Sequence, residues 1–325
     1  MALSSFLCYA QDIHFSQYFS TPLTISPSNT GNYDGDYRVM GNFRSQWKEV
    51  SKPYTTESIG GDMNFYVHGE KISAGLLIIN DKSGGNLQVN KFQVSLAYHK
   101  KIGKNTFHLG VQPGMTLKSI NNNETFPNQF DWGSGQFNGS LPNSESNLSY
   151  RLNYFDLNWG VGYDRKLTDK LELFTSFAMF HVNAPKETFL SSSNTIQARE
   201  VLSLGVTWYL APKITLQPSL CMMGTEKASE FLFGARAFYS LGGDYSIKKA
   251  VFVGVYGRSG FANLTDAFFA VVGANYKNYY CGVSYDFNIS QLKTASNYRG
   301  AFELSFIYTG LSTHLTKTQI PCDRY

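Results

Sequence analysis

Residues 299–311 alternate between large apolar side chains and small or polar ones. The apolar positions share one face of a predicted strand: Phe302, Leu304, Phe306 and Tyr308. The intervening positions are small or polar: Ala301, Glu303 and Ser305. A period of two residues is the signature of a β-strand with two different faces. The length and the aromatic face predict a strand with one face in lipid and the other in a wet or packed interior.

The same alternation recurs along the chain in about fourteen strand-like segments between Asp36 and Thr309, long enough for tilted membrane strands. In residues 92–99, 157–164 and 283–287 the second face is small or polar and mostly uncharged. We therefore predict a polar lumen without a ladder of acidic or basic side chains. Aromatic residues collect at segment ends, where interfacial girdles belong: Trp47, Trp159, Trp208, Tyr209 and Tyr239.

The connections between these segments alternate in length. Short turns follow the even-numbered segments and longer polar loops follow the odd ones, the longest being residues 121–149. This arrangement is typical of an outer-membrane barrel with periplasmic short turns, and an even strand number places both termini in the periplasm. We predict an all-β, transmembrane antiparallel β-barrel of about 14 strands. A soluble propeller would need a blade-length repeat, and the sequence has no fixed period beyond the hairpin.

The predicted organisation has four parts. Residues 1–10 read as the end of a signal peptide, with Ala10 at the cleavage site. Residues 11–34 form an irregular leader because Pro22, Pro27 and Gly31 interrupt it. Residues 35–311 form the barrel, and residues 312–325 form a periplasmic C-terminal tail. The closing strand near the C-terminus is expected to pair with the first strand, so that no sheet edge stays open.

Composition supports a membrane barrel over a cytosolic enzyme. Charged residues make up 16% of the chain, below the roughly 25% of ordinary domains, and aromatic residues make up 15%. No apolar run approaches the roughly 18 residues of a membrane helix. The net charge of +4 is too small and too dispersed to indicate nucleic-acid binding.

Cysteine and histidine patterns give no sign of a metal site. The cysteines that remain after cleavage are odd in number and lack CxxC spacing: Cys221, Cys281 and Cys322. Cys221 and Cys281 lie inside strand patterns, so we expect both to be buried. The six histidines include no metal-ligand spacing, and His99 and His181 are expected to hydrogen-bond at strand ends.

No motif indicates catalysis. The sequence around Ser259 is not a GxSxG nucleophile elbow, so a lipase is a weak alternative. Residues 32–36 lack the spacing and terminal Glu of a calcium-binding EF-hand loop. We therefore predict a protein that is not an enzyme and needs no cofactor.

Two long loops carry large apolar side chains that a flexible linker would not need. Residues 121–149 contain four aromatics: Phe126, Phe130, Trp132 and Phe137. Residues 184–199 contain Phe189 and Leu190. Such loops fold onto themselves, into the lumen or onto a partner, and the sequence leaves these alternatives open. We regard these six residues as candidates for partner binding.

Several short motifs, in order along nearly the whole chain, resemble the PorP/SprF family of type IX secretion outer-membrane proteins. The leader contributes Phe15, Ser16, Gln17 and Tyr18, and the first strand contributes Arg44, Gln46 and Trp47. Further matches are residues 77–82, 128–131 and 284–286. The tail residues Pro321, Cys322, Arg324 and Tyr325 are similar to the family's terminal Ile-Pro-Cys-Pro-Arg-Phe, with Asp323 for Pro and Tyr325 for Phe.

This resemblance implies a barrel in the bacterial outer membrane, surrounded by its lipid. It also implies help with export or surface anchoring of a secreted cargo protein with a C-terminal sorting domain, such as an adhesin in gliding motility. The expected partners include periplasmic components of the secretion machine. The alternative from the residues alone is a passive diffusion porin, because polar inward faces can enclose a water path.

Overall fold

The computed structural model describes residues 13–46, 52–84, 86–120, 129–141, 150–189, 194–226, 228–242, 247–260, 267–289 and 299–311. The predicted signal peptide, the C-terminal tail and its signature residues Pro321, Cys322, Arg324 and Tyr325 lie outside this part of the chain, as do Trp47, Phe126 and Leu190.

Fourteen antiparallel strands form a closed barrel, which confirms the predicted fold class and strand number. In the described residues the strands are β1 (Tyr37–Gln46), β2 (Tyr54–Val67), β3 (Glu70–Ser83), β4 (Leu87–Ile102), β5 (Asn105–Ile120), β6 (Phe130–Asp131), β7 (Gln136–Phe137), β8 (Arg151–Thr168), β9 (Leu171–Phe180), β10 (Arg199–Ala211), β11 (Ile214–Gly224), β12 (Ser229–Ser240), β13 (Lys249–Ser259), β14 (Ala267–Tyr276), β15 (Tyr279–Asn288) and β16 (Arg299–Gly310). The short strands β6 and β7 make a separate hairpin within the longest loop.

The barrel closes between its first and last strands, as the sequence predicted. β1 pairs with β16 from Tyr37 opposite Gly310 to Gln46 opposite Ala301. Each strand therefore has two hydrogen-bonded neighbours, and no open edge faces the hydrocarbon layer.

Alternation in β16 follows the predicted faces. Phe302, Leu304 and Phe306 are about 40% exposed on the outside, whereas Glu303 and Ser305 are fully buried on the inside. The same alternation runs through β4 and β8. A lipid-facing strand gains from apolar side chains outside, and the barrel interior accepts the polar ones.

Outward-facing aromatic rings mark the end of the barrel that carries the short turns, here called the short-turn end. Tyr308 lies between Tyr37 and Tyr279, with ring centroids 5.9 and 4.9 Å away. On the adjoining wall Phe107 packs on Tyr163 at 5.2 Å. Such rings prefer the level of the lipid headgroups, so they place this end at the membrane surface. The opposite end, with the longer connections, is called the long-loop end.

The chain from residue 13 to residue 33, here called the lumenal segment, is folded inside the barrel. It forms three short helical turns: a 3-10 turn at Tyr18–Ser20, α1 at Pro22–Ile25 and a second 3-10 turn at Pro27–Asn29. Proline stands first in two of them, where its fixed φ suits a helix start and its missing N–H costs nothing. The Ser26 side chain also accepts a hydrogen bond from the Ser28 N–H.

The lumen has two unlike walls around this segment. One wall is apolar and aromatic, and its buried members include Phe238, Phe252, Tyr256 and Phe269. Tyr18 and Ile25 of the lumenal segment pack against it. The opposite wall is polar and contains buried charged side chains such as Arg44 and Glu303, and the long-loop end of β12 and β13 adds Glu230 and Arg258. The inward residues named from the sequence are small or polar, as predicted. The lumen as a whole also holds large aromatic and charged side chains, for which the lumenal segment supplies partners.

The two described cysteines behave differently. Cys221 is fully buried in the inner wall, as predicted, but Cys281 is exposed, so the prediction of its burial is wrong. Cys281 follows the outward-facing alternation of β15, between the inward positions of Tyr280 and Gly282. Within the described residues, no helix is long and apolar enough to cross a membrane.

Candidate functional site

A buried ionic cluster holds the beginning of the lumenal segment to the barrel wall. Arg44 of β1 forms ion pairs with Asp286 of β15 at 3.0 Å and with Glu303 of β16 at 3.1 Å. Arg258 of β13 approaches the same Asp286 oxygen at 3.0 Å and pairs with Glu230 of β12 at 2.9 Å. We call these five residues the ionic lock. Their side chains are buried or nearly so, which makes each charge depend on its partners.

The lumenal segment completes the ionic lock with backbone and hydroxyl groups. The N–H groups of Ser16 and Gln17 donate to the two carboxylate oxygens of Glu303 at 2.8 and 2.9 Å. The Ser16 hydroxyl donates to Asp286 at 2.8 Å and accepts from Arg44 and Arg258. Charge-assisted hydrogen bonds of this kind are among the stronger ones in proteins. The segment is therefore seated by specific contacts.

A second anchor lies near the short-turn end. Arg38 of β1 makes a two-pronged ion pair with Asp62 of β2, through contacts of 3.0 and 2.6 Å. The Gly31 N–H donates to the same carboxylate at 2.7 Å, and Arg38 donates to the Asn29 carbonyl at 3.2 Å. The Arg38 guanidinium also stacks on the Tyr33 ring at 4.3 Å. The lumenal segment thus spans the lumen from the ionic lock to the short-turn end, where β1 starts.

His99, supported by the neighbouring His108, holds the end of the second 3-10 turn. His99 Nε2 lies 2.9 Å from the Thr30 carbonyl, and its Nδ1 lies 2.6 Å from His108 Nδ1. Because a carbonyl only accepts, His99 carries its proton on Nε2 and its Nδ1 accepts from His108. His108 Nε2 in turn lies 3.2 Å from Asp164. His99 lies inside the lumen near the end of β4 and hydrogen-bonds there, as expected for it. His181 likewise bonds to Asp156 just after the end of β9.

A fourth contact fixes the middle of the segment. Gln112 donates to the Leu23 carbonyl at 3.2 Å and accepts from Asn158 at 3.2 Å. Asn158 also accepts from the backbone N–H of His181, whose ring lies 2.9 Å from Asp156. These buried polar groups of the wall therefore all have hydrogen-bond partners, either in the segment or in each other. Buried polar groups in proteins nearly always have such partners.

Gly110 of β5 provides the close approach that the second 3-10 turn needs. A Cβ at this position would lie 2.3 Å from the Pro27 carbonyl carbon and 2.5 Å from the Ser28 nitrogen, both backbone atoms. We expect Gly110→Ala to lower the free energy of unfolding by about 1–3 kcal/mol, the range for overpacking, and to loosen the segment. Urea unfolding measures the first effect, and protease cleavage within residues 13–33 measures the second.

Gly41→Ala is the matched control for that substitution. A Cβ at Gly41 meets only the Ser58 carbonyl oxygen, at 3.8 Å, which is ordinary contact. The control should resemble the unmodified protein in both measurements. If Gly110→Ala behaves like Gly41→Ala, the seat of the segment against β5 is not as tight as the structure indicates.

At the long-loop end, the β6–β7 hairpin presents an aromatic cluster. Phe130 packs edge-on against Trp132 at 5.0 Å and Phe137 at 5.2 Å, while 88% of Trp132 and 55% of Phe137 stay exposed. Asp131 accepts hydrogen bonds from Ser134 and from the Gly133 N–H, which hold the pKa of Asp131 below its usual range. The hairpin is thus internally braced and holds two large apolar surfaces out of the barrel.

The structure brings together most of the family-signature residues that it describes. Ser16, Gln17 and Arg44 meet in the ionic lock, and Arg44 also donates to Gln46 at 3.4 Å. Phe15 and Tyr18 are buried beside them in the lumen. Of the loop candidates, Phe130, Trp132 and Phe137 share the hairpin, while Phe189 lies half-buried in the separate loop after β9.

Sequence reasoning gave no functional role to the charged residues that complete these contacts, although it placed Glu303 and Asp286 on the inner face: Arg38, Asp62, Glu230, Arg258, Asp286 and Glu303. The available signal was a charge at an inward position, such as Glu303 between Phe302 and Leu304. Among the described residues, no group of three or more His, Cys, Asp or Glu side chains is arranged to hold a metal ion.

These features define a class of protein: an outer-membrane β-barrel, apolar outside, whose lumen holds its own N-terminal segment. The sequence pattern described as "Type IX secretion system membrane protein PorP/SprF" matches residues 7–308. The chain therefore belongs to the PorP/SprF family and is a protein of the bacterial outer membrane. No curated protein matches it by sequence.

Solved structures support the fold. The Pseudomonas putida toluene transporter TodX aligns over 89% of this chain and 92% of its own, with 10% identity and a TM-score of 0.52. The CymD monoaromatic hydrocarbon channel aligns over 91% and 94%, with 9% identity and a TM-score of 0.51. At such low identity the likeness concerns the barrel alone.

Proposed function

We propose that this protein is a non-enzymatic platform of the type IX secretion machinery, which helps export or anchor a cognate cargo such as an adhesin at the cell surface. The observation that carries the proposal is the occupied lumen. A diffusion porin needs a continuous water path. Here the lumenal segment bonds to different sides of the barrel: Ser16 to β16, Tyr18 to Ser219 of β11 and Leu23 to Gln112 of β5. A barrel closed in this way suits anchoring better than passive transport.

The braced β6–β7 hairpin is the proposed cargo contact. Exposed aromatic rings held in a fixed arrangement lose little entropy on binding and dominate many protein interfaces. The hairpin lies at the long-loop end, which faces outward when the short turns are periplasmic. Phe189 adds a second apolar group in another loop at that end.

Deleting the gene tests the proposal as a whole. We expect surface display of one adhesin to be lost while other secreted cargo still reaches the surface, as measured by antibody labelling of intact cells. Unchanged display of every cargo would contradict the anchoring role.

The combined substitution Trp132→Ser and Phe137→Ser tests the proposed contact. Loss of two exposed aromatic anchors is expected to weaken cargo binding by about 2 kcal/mol or more, on the order of thirtyfold in Kd, with the barrel's stability unchanged. Tyr66→Ser, an exposed aromatic at the short-turn end, is the matched control and should leave cargo binding intact. Equal binding by both variants would remove the hairpin from the contact.

A further inference from the structure

The short-turn end carries an arc of basic side chains on neighbouring strands. The arc consists of five lysines, here called the basic arc: Lys101, Lys104, Lys166, Lys170 and Lys213. They lie at the ends of β4, β8 and in the turns β4–β5, β8–β9 and β10–β11. The strands β4, β5, β8, β9, β10 and β11 are consecutive in the barrel, so the lysines occupy one continuous side of its rim.

Most of the basic arc is not neutralised within the described residues. Lys166 lies 3.8 Å from Asp169 and opposite Glu172 on the neighbouring strand. Within the described part of the chain, Lys101, Lys104, Lys170 and Lys213 form no ion pair, and all four are exposed. Elsewhere at this end Lys100 pairs with Glu70, while Lys249 and Lys277 are exposed at the start of β13 and in the turn β14–β15.

The spacing lets these charges act together. Neighbouring strands lie about 4.8 Å apart, so adjacent hairpin turns are on the order of 10 Å apart. This distance is close to the screening length of about 8 Å in physiological salt. A rigid ligand with several negative charges therefore meets the field of more than one turn at once.

The position of the basic arc favours a ligand in the aqueous phase over lipid headgroups. Lys101 and Lys166 continue the inward-facing series of β4 and β8, whereas the outward series at this level carries Phe107 and Tyr163. Lys104, Lys170 and Lys213 lie in the turns beyond those rings. Of the basic residues at this end of β4 and β8, Lys100 and Arg165 have outward positions, and Lys100 is already paired with Glu70. Arg165 is therefore the one whose position suits a phosphate headgroup.

We propose that the basic arc is a docking surface for an acidic protein surface in the periplasm. The inference rests on the proposed platform function for the presence of a periplasmic partner, and it adds the surface and the charge of that partner. Carboxylates spread over roughly 20 Å, the span of three neighbouring turns, would match the arc.

Binding of labelled poly-L-glutamate to the barrel in zwitterionic nanodiscs tests this proposal. We expect the substitution of Lys101, Lys104, Lys170 and Lys213 by Gln to raise Kd on the order of tenfold or more, and binding to weaken with added salt. The double variant Lys104→Gln with Lys213→Gln should show part of the loss. Lys82→Gln with Lys186→Gln removes the same charge at the long-loop end and should change nothing.

Two results would overturn the proposal. If Lys104→Gln with Lys213→Gln and Lys82→Gln with Lys186→Gln bind poly-L-glutamate equally, the lysines of the basic arc do not form the binding surface. Competition by phosphatidylglycerol vesicles that abolishes the binding would assign the arc to lipid headgroups. The adhesin-display experiment is independent, because poly-L-glutamate binding can persist when display is unaffected by gene deletion.

Discussion

Removal of residues 13–32 is expected to turn a closed barrel into a conducting one. The lumenal segment is held to polar groups of the wall through the ionic lock, Asp62, His99 and Gln112, and its Tyr18 and Ile25 pack on the apolar wall. Without it, a fourteen-stranded barrel has a lumen wide enough for water and ions. In planar bilayers, the average current per inserted protein should rise on the order of tenfold or more. The unmodified protein should show only rare openings.

A tethered variant makes the same test without deleting any residue. The Ser20 and Ser305 hydroxyl oxygens lie 2.9 Å apart, so this pair is the one we choose for cysteine substitution and a disulfide between segment and wall. In mild urea the oxidised variant should stay closed and the reduced variant should open. Steady current through the unmodified protein, equal to that of the deletion variant, would contradict the closed state and favour the diffusion porin.

Substitution of Arg44 by Met is expected to give the largest loss of stability for a single side chain. Arg44 neutralises Asp286 and Glu303, and Glu303 is its direct cross-strand neighbour at the closure of the barrel. Its loss leaves carboxylates buried with less compensation, which costs about 3–5 kcal/mol in measured buried pairs. Urea unfolding should show the loss, and protease should cleave residues 13–33 faster.

Two controls separate the charge of Arg44 from its packing. Lys100→Met removes the same charge from the exposed pair with Glu70, and it should leave the unfolding midpoint unchanged because such pairs contribute little. Adding Glu303→Gln to Arg44→Met removes an uncompensated charge and should recover part of the stability. If Arg44→Met and Lys100→Met unfold alike, the ionic lock does not hold the segment.

Alternation alone was sufficient to predict the barrel wall. The pattern of residues 299–311 predicted a strand with an apolar outer face. The same two-residue alternation in the rest of the chain predicted the strand number and the pairing of β1 with β16. This works because every barrel strand meets the same two environments, lipid and lumen, so its side chains repeat with period two. Glu303 and Asp286 also fell correctly on the inner face.

The occupant of the lumen was not predictable in the same way. Residues 13–33 have no periodic pattern, because each side chain meets a different part of the wall. Three partners of Ser16 lie more than 240 residues away in sequence, at Arg258, Asp286 and Glu303. The residues of the segment alone give no pattern that distinguishes it from an irregular leader outside the barrel. Its short turns depend on proline and on serine capping, which are also common in ordinary loops.

The sequence by itself determined the class of fold, the faces of the strands and the family, since these follow from repeated local patterns and from short motifs. Only the tertiary structure decided that residues 13–33 lie in the lumen, that Arg44 and the leader motif meet in one ionic lock, and that lysines from separate turns make one arc. The reason is physical. Barrel closure decides which strands become neighbours, and these neighbours decide which charges pair and which hydrogen bonds form inside. The period-two alternation shows which face a residue is on, but it does not show which residues lie beside it.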